Sequence, residues 1–213
     1  MKKKGKALLL VSGSVLLVAG SVLGTLAYLS DTEQAVNTFT VGNVAISLAE
    51  TDIDGDGNVL ENKYKIVPGG EYTKDPTLTV EEGSEEAYVR MILTVHNANA
   101  VKTIIADNNL TDFQSAFLGG MDDAKWIPCG STENTDNTIS YEYRYFEIVD
   151  GTDGELEPLF DTLIIPSSLD GDELQSLVDG GFKIVVDGHA IQATGFENNE
   201  DGAWDAFDAQ YAE

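Results

Sequence analysis

The segment AYVRMILTVHN, residues 87–97, sets its apolar side chains on alternate positions. Val89, Met91, Leu93 and Val95 share one parity, and Arg90, Thr94 and His96 share the other. A repeat of two residues is that of a β-strand with one face turned to a core, because successive Cβ atoms point to opposite sides of the sheet. Working outward, TISYEYRYFEIV (138–149) alternates through Ile139, Tyr141, Tyr143 and Tyr145 and then shifts to Phe146 and Ile148. NTFTVGNVAISLAE (37–50) places Phe39 and Val41 on odd positions but Val44, Ile46 and Leu48 on even ones. The change of parity at Gly42-Asn43 is what an inserted bulge residue produces. GFKIVVDGHAIQA (181–193) is apolar on both parities from Phe182 to Val186, which predicts a strand covered on both faces. Turn-forming clusters, PGGE, EEGSE, DGTDGE and DGG, separate these runs.

Helical spacing is confined to short pieces. LTDFQSAFLGG (110–120) spaces Leu110, Phe113 and Phe117 on one helical face and stops at two glycines. DGDELQSLVDGG (170–181) pairs Asp170 with Glu173 as a capping box ahead of Leu174, Leu177 and Val178. GAWDAFDAQYAE (202–213) aligns Trp204, Phe207 and Tyr211. Several strands with short helices between them predict an all-β fold with short helical insertions, a jelly-roll-like antiparallel β-sandwich.

The chain has 213 residues, enough for one domain with a sizeable core, and a net charge of −25 from 37 acidic against 12 basic residues. Four of the basic residues, Lys2, Lys3, Lys4 and Lys6, lie at the very start, so the remainder is more acidic still. Such a surface repels nucleic-acid phosphates and anionic lipid, and no nucleic-acid partner is expected. One cysteine, Cys129, excludes an intramolecular disulfide; a buried, inert thiol is expected there.

The basic start is followed by ALLLVSGSVLLVAGSVLG (7–24), and the next charge is Asp31. Thr25 and Ala27 place small residues at positions −3 and −1 of a cut ahead of Tyr28. Acidic Asp31 and Glu33 follow, where a retained stop-transfer anchor would carry Lys or Arg. The expected organisation is a signal peptide over 1–27, an N-terminal donor-strand segment over 28–37 and a β-sandwich domain over 38–213.

With these residues placed, the stretch GTLAYLSDTEQAVNTFTVGNVAISL resembles the N-terminus of the TasA/camelysin family, through Gly24, Thr25, Ala27, Tyr28, Ser30, Asp31, Asn37, Phe39, Gly42, Ile46 and Leu48. Leu29 stands where the family often has Phe. KIVPGGEYTKDPTLTV, EEAYVRMILTV, PLFDTLIIPSSL, HAIQATGF and AWDAF extend the likeness over nearly the whole chain. The resemblance implies export through a SipW-type signal peptidase, a location in the extracellular matrix or on the surface of a Gram-positive-type bacterium, and assembly into fibres with copies of itself or related matrix proteins. Contact with the membrane is expected only through the signal peptide before cleavage. Physical reasoning supplies a route: once cut, Tyr28–Ala35 is a free arm that can complete the sheet of the next subunit. Tyr28 and Leu29 are the expected anchors, with Phe39 and Val41 opening the receiving sheet.

Two other functions are weighed against this. TDIDGDGNVLENK (51–63) puts Asp52, Asp54 and Asp56 at alternate positions with Gly57 following, the first half of a calcium loop; Glu61 is the nearest substitute for the closing carboxylate, because Lys63 occupies that place. A calcium-dependent surface binding module would use these four. The other alternative, a camelysin-type secreted metallopeptidase, has only His96 and His189 to offer and no H-E-x-x-H. There is no G-x-S-x-G nucleophile motif and no phosphate-binding glycine loop, and no catalytic residue is expected.

Overall fold

A computed structural model describes the backbone of residues 30–33 and the full residues 44–55, 57–59 and 62–211. The strands are β1 (Ser30–Glu33), β2 (Ile46–Ala49), β3 (Glu71–Thr73), β4 (Thr77–Val80), β5 (Ala87–His96), β6 (Leu118–Gly119), β7 (Trp126–Glu133), β8 (Thr138–Tyr145), β9 (Thr162–Ile164) and β10 (Ile184–Gln192). The helices are α1 (Ala98–Asp107), α2 (Phe113–Phe117), α3 (Gly171–Asp179) and α4 (Glu200–Tyr211). The fold is therefore all-β with short helical insertions, as the alternating pattern predicts, and every strand pairing is antiparallel.

A main sheet runs in the order β1-β10-β5-β8-β7, and two short sheets, β2-β4 and β3-β9-β6, make up the opposing layer. The core lies between them. Val89, Met91, Leu93 and Val95 of β5 are all at most 1% exposed and pack with Ile46, Leu78, Val80, Leu118 and Leu163 from the second layer. The layers meet most closely at Gly188 of β10, where a Cβ would lie 2.9 Å from Leu78 Cδ1 and 3.7 Å from Ile46 Cδ1. A glycine is used there because no side chain fits between the sheets without moving that leucine.

One end of the core is closed by α1 and α2 through Val101, Ile104, Phe113 and Phe117. The sequence reading has no helix over α1, although Val101, Ile104 and Ile105 have helical spacing. The start is hidden by Asn97, which adopts a left-handed conformation (φ 59°) rather than an ordinary cap. Its side-chain amide instead donates to the carbonyls of Ser176 and Leu177 near the end of α3. The capping box of Asp170 and Glu173 forms as expected. Leu177 is buried, but Val178 is exposed.

Two further expectations are corrected, and one strand has no counterpart in the sequence pattern. Phe146 and Ile148 do not continue the inward face of β8; both are exposed, and Val149 turns inward instead, bridging to Ala87. β7 has no clear signature in the sequence because Pro128 and Gly130 interrupt it, and the pairing with β8 shifts register between those two residues. Cys129 sits in that interruption and is exposed, not buried.

The long connection between β2 and β3 is fastened at its neck. Glu50 and Lys74 form a nearly buried ion pair, with side chains 8% and 9% exposed. Beside them Thr51 donates to the Asp75 carboxylate through both its N–H (2.7 Å) and its hydroxyl (2.6 Å). Tyr64 donates to the Thr73 carbonyl at 2.9 Å.

Candidate functional site: the strand edge and the charge cluster beside it

β10 carries β5 on one side and β1 on the other. In β1, Ser30, Asp31, Thr32 and Glu33 lie opposite Ile191, Ala190, His189 and Gly188. The arm expected to lie free ahead of the first strand is therefore, over these four residues, itself the first strand, completing the sheet of its own chain. The proposed cleavage residues Thr25, Ala27 and Tyr28, and the assembly residues Tyr28, Leu29, Phe39 and Val41, lie outside the described residues.

The strand that receives β1 is held from both faces. Its inner face meets β2 and β4 at Gly188. Its outer face is covered by α4, where Ile191, Ala193 and Tyr88 pack with Ala203, Trp204 and Phe207. This outer cover lies over Ile191 and Ala193, whereas in the apolar run at the start of the strand Phe182, Ile184 and Val186 pack with the main core.

Beneath α4 the registers align Thr32, His189, Arg90, Arg144 and Ile127 as one row across the sheet. Arg90 is only 4% exposed. Its guanidinium lies 4.4 Å from the ring centre of Trp204 and 5.0 Å from that of Phe207. It donates to both carboxylate oxygens of Asp208, one of them at 3.1 Å, and through Nε to His189 Nδ1 at 3.1 Å. Glu142 lies 3.8 Å away. Arg144 binds Asp201 at 2.6 Å and Glu142 at 2.7 Å. Two arginines from the middle of the sheet thus anchor two aspartates seven residues apart on one helix. Burial, together with the Arg90 charge, lowers the His189 pKa to about 4, so the ring is neutral at physiological pH. It stacks on Phe207 with ring centres 4.9 Å apart. The alternation of the sequence places Arg90 on the polar face of β5, and nothing near His189 in the sequence points to this cluster. The available signal was the i, i+7 pair of Asp201 and Asp208 flanking Trp204 and Phe207.

The geometry separates the two histidines. His189 lies opposite Arg90, and His96 is six residues further along the same strand, about 20 Å away at the rise of a β-strand. They cannot share a zinc ion, which removes the ligand set of the metallopeptidase alternative. In the acidic loop, Asp52 accepts from the N–H groups of Gly55 (2.7 Å) and Gly57 (2.9 Å), and Asp54 accepts from Lys63 N–H at 3.2 Å. Asp56 and Glu61 lie outside the described residues. Among the described residues no group of three or more His, Cys, Asp or Glu side chains is arranged to hold a metal ion. The carboxylate of Asp52 acts as the loop's own turn-former, with Gly55 and Gly57 both at positive φ. We expect the melting temperature of the protein to be unchanged by calcium up to millimolar concentration; a calcium-dependent rise, measured by differential scanning fluorimetry against a magnesium control, would assign the ion to this loop.

Among the described residues no helix is long and apolar enough to cross a membrane. Compared with known proteins, the chain matches no family profile, no curated protein and no solved structure.

Proposed function

We propose that this is a secreted structural protein of the bacterial cell surface or biofilm matrix, which assembles into head-to-tail fibres through its processed N-terminal strand. The observation that carries this reading is the position of Ser30–Glu33 as an edge strand of the main sheet, two residues beyond the proposed cut after Ala27. While the leader is attached, that edge is tethered at the membrane; removal of residues 1–27 by a SipW-type peptidase frees it for a second subunit. The TasA/camelysin resemblance supports the same reading, as does a strongly acidic chain built for solubility outside the cell. The partners are copies of the same chain or related matrix proteins.

The test is to purify the protein beginning at Tyr28 and image it by negative-stain electron microscopy. Filaments are expected. Deletion of Tyr28–Ala35 should abolish them, because the edge strand goes with it; filaments that persist after the deletion refute the N-terminal strand as the joint.

A further inference from the structure

We propose that the partner of the β1 edge is the far edge of the same sheet in the next subunit: β1 of one copy pairs in parallel with Gly130–Glu133 of β7 in another. The proposal rests on the fibre reading above and names the surface that receives the strand.

Topology supplies the first argument. Five antiparallel strands in the order β1-β10-β5-β8-β7 alternate in direction, so with an odd number the two outer strands run the same way. A copy displaced along the sheet without a half-turn therefore brings its β1 beside β7 in parallel orientation. The contact joins two unlike edges, so it does not close, and repetition yields a filament. Each subunit would add five strands, about 24 Å along the hydrogen-bonding direction at about 4.8 Å per strand.

β7 is also open to such a partner. Every residue from Ile127 to Glu133 is exposed, on both faces of the strand. Among the described residues no loop or helix backbone bonds to this segment. The hairpin bond from Asn134 N–H to the Thr138 carbonyl sets the phase of the ladder. Alternation from there turns the backbone of Thr132 toward β8 and leaves the groups of Ser131 and Glu133 pointing outward. The first half of the strand is blunted, because Pro128 has no N–H and the register shift and Gly130 (φ 134°) follow it. What remains is a four-residue template, Gly130–Glu133, matched in length to the four residues of β1. Charge makes the joint dependent on ionic strength. The chain carries a net charge of −25 and the β7 edge bears Glu133, itself paired with Lys102 at 2.7 Å, so screening of like-charged copies by salt should speed assembly.

The rival is strand exchange, in which β1 leaves its own β10 and takes the same place in a neighbour. One set of variants separates them, all beginning at Tyr28 and carrying Cys129→Ser. In the first, Asp31→Cys with Ala190→Cys, which lie opposite each other, ties β1 to its own β10; the disulfide is verified by intact mass. In the second and third, Ser131→Pro removes an outward N–H and Ser131→Asp adds a like charge. The tied protein is expected to form filaments as the parent does. Each Ser131 variant should raise the critical concentration for filaments about tenfold, the equivalent of one lost hydrogen bond per joint, with the circular dichroism of the monomer unchanged. If Ser131→Pro does not fold, Ser131→Asp decides. Loss of filaments in the tied protein would establish exchange and overturn the β7 joint while leaving the fibre reading intact. Unchanged assembly of the Ser131 variants would overturn it as well. A parent protein that forms no filament removes the fibre reading and this proposal together.

Discussion

Arg90→Ala should destabilise the domain by about 3 kcal/mol and detach α4 from the sheet. Removing one partner of a buried ion pair commonly costs about 3–5 kcal/mol. The lower end applies here because the side chain of Asp208 is 58% exposed and can rehydrate once the arginine is gone. The remaining loss comes from packing: the guanidinium fills the space beneath Trp204 and Phe207, and His189 loses its donor. Arg90→Lys keeps the charge but not the fork that engages Asp208 and His189 together, so its effect should lie between wild type and alanine. Urea titration followed by tryptophan fluorescence measures both. A loss below about 1 kcal/mol for the alanine variant would show that the cluster is not what holds α4.

The second large effect is on pH dependence. His189 has its pKa lowered to about 4 in the folded protein from an ordinary value of 6.5. Unfolded chains therefore bind its proton first. The stabilisation is fully present above about pH 6.5 and is lost as the pH falls toward 4, by up to about 3 kcal/mol for a shift of this size. The structural reason is direct: Nδ1 accepts from Arg90 Nε, and a protonated ring would set one N–H against another. His189→Gln retains an acceptor but does not titrate, so its stability should fall less than that of wild type between pH 6.5 and 4. Carboxylate protonation is common to both proteins and cancels in the comparison. Parallel curves for the two, from thermal melts across this range, would show that His189 is not the group responsible.

The core was legible where a single face is buried. Val89, Met91, Leu93 and Val95 announce β5 because one side of that strand meets the second layer and the alternation is unbroken. The apolar run Phe182–Val186 announced β10, but the outer cover of that strand, α4, lies further along it over Ile191 and Ala193. What the sequence concealed follows from side chains whose partners are distant along the chain. Arg90 reads as a polar residue on a solvated face until Asp208, 118 positions away, arrives over it. Ser30–Glu33 has few residues that favour strands and is ordered as one only by the ladder of β10. β7 hides behind Pro128 and Gly130, the residues that blunt it. In the acidic loop the alternate aspartates are plain in the sequence, but the bonds from the amides of Gly55 and Gly57 to Asp52 are visible only in the structure.

The fastened neck between β2 and β3 has a consequence of its own. Glu50 with Lys74, Thr51 with Asp75 and Tyr64 with Thr73 close the base of this excursion, while Asp54 and Gly55 at its tip are exposed. The tip is mechanically insulated from the sandwich. Foreign peptide grafted at Gly55 would be carried on the outside of every subunit, and a fibre built from such subunits would display it as a regular array.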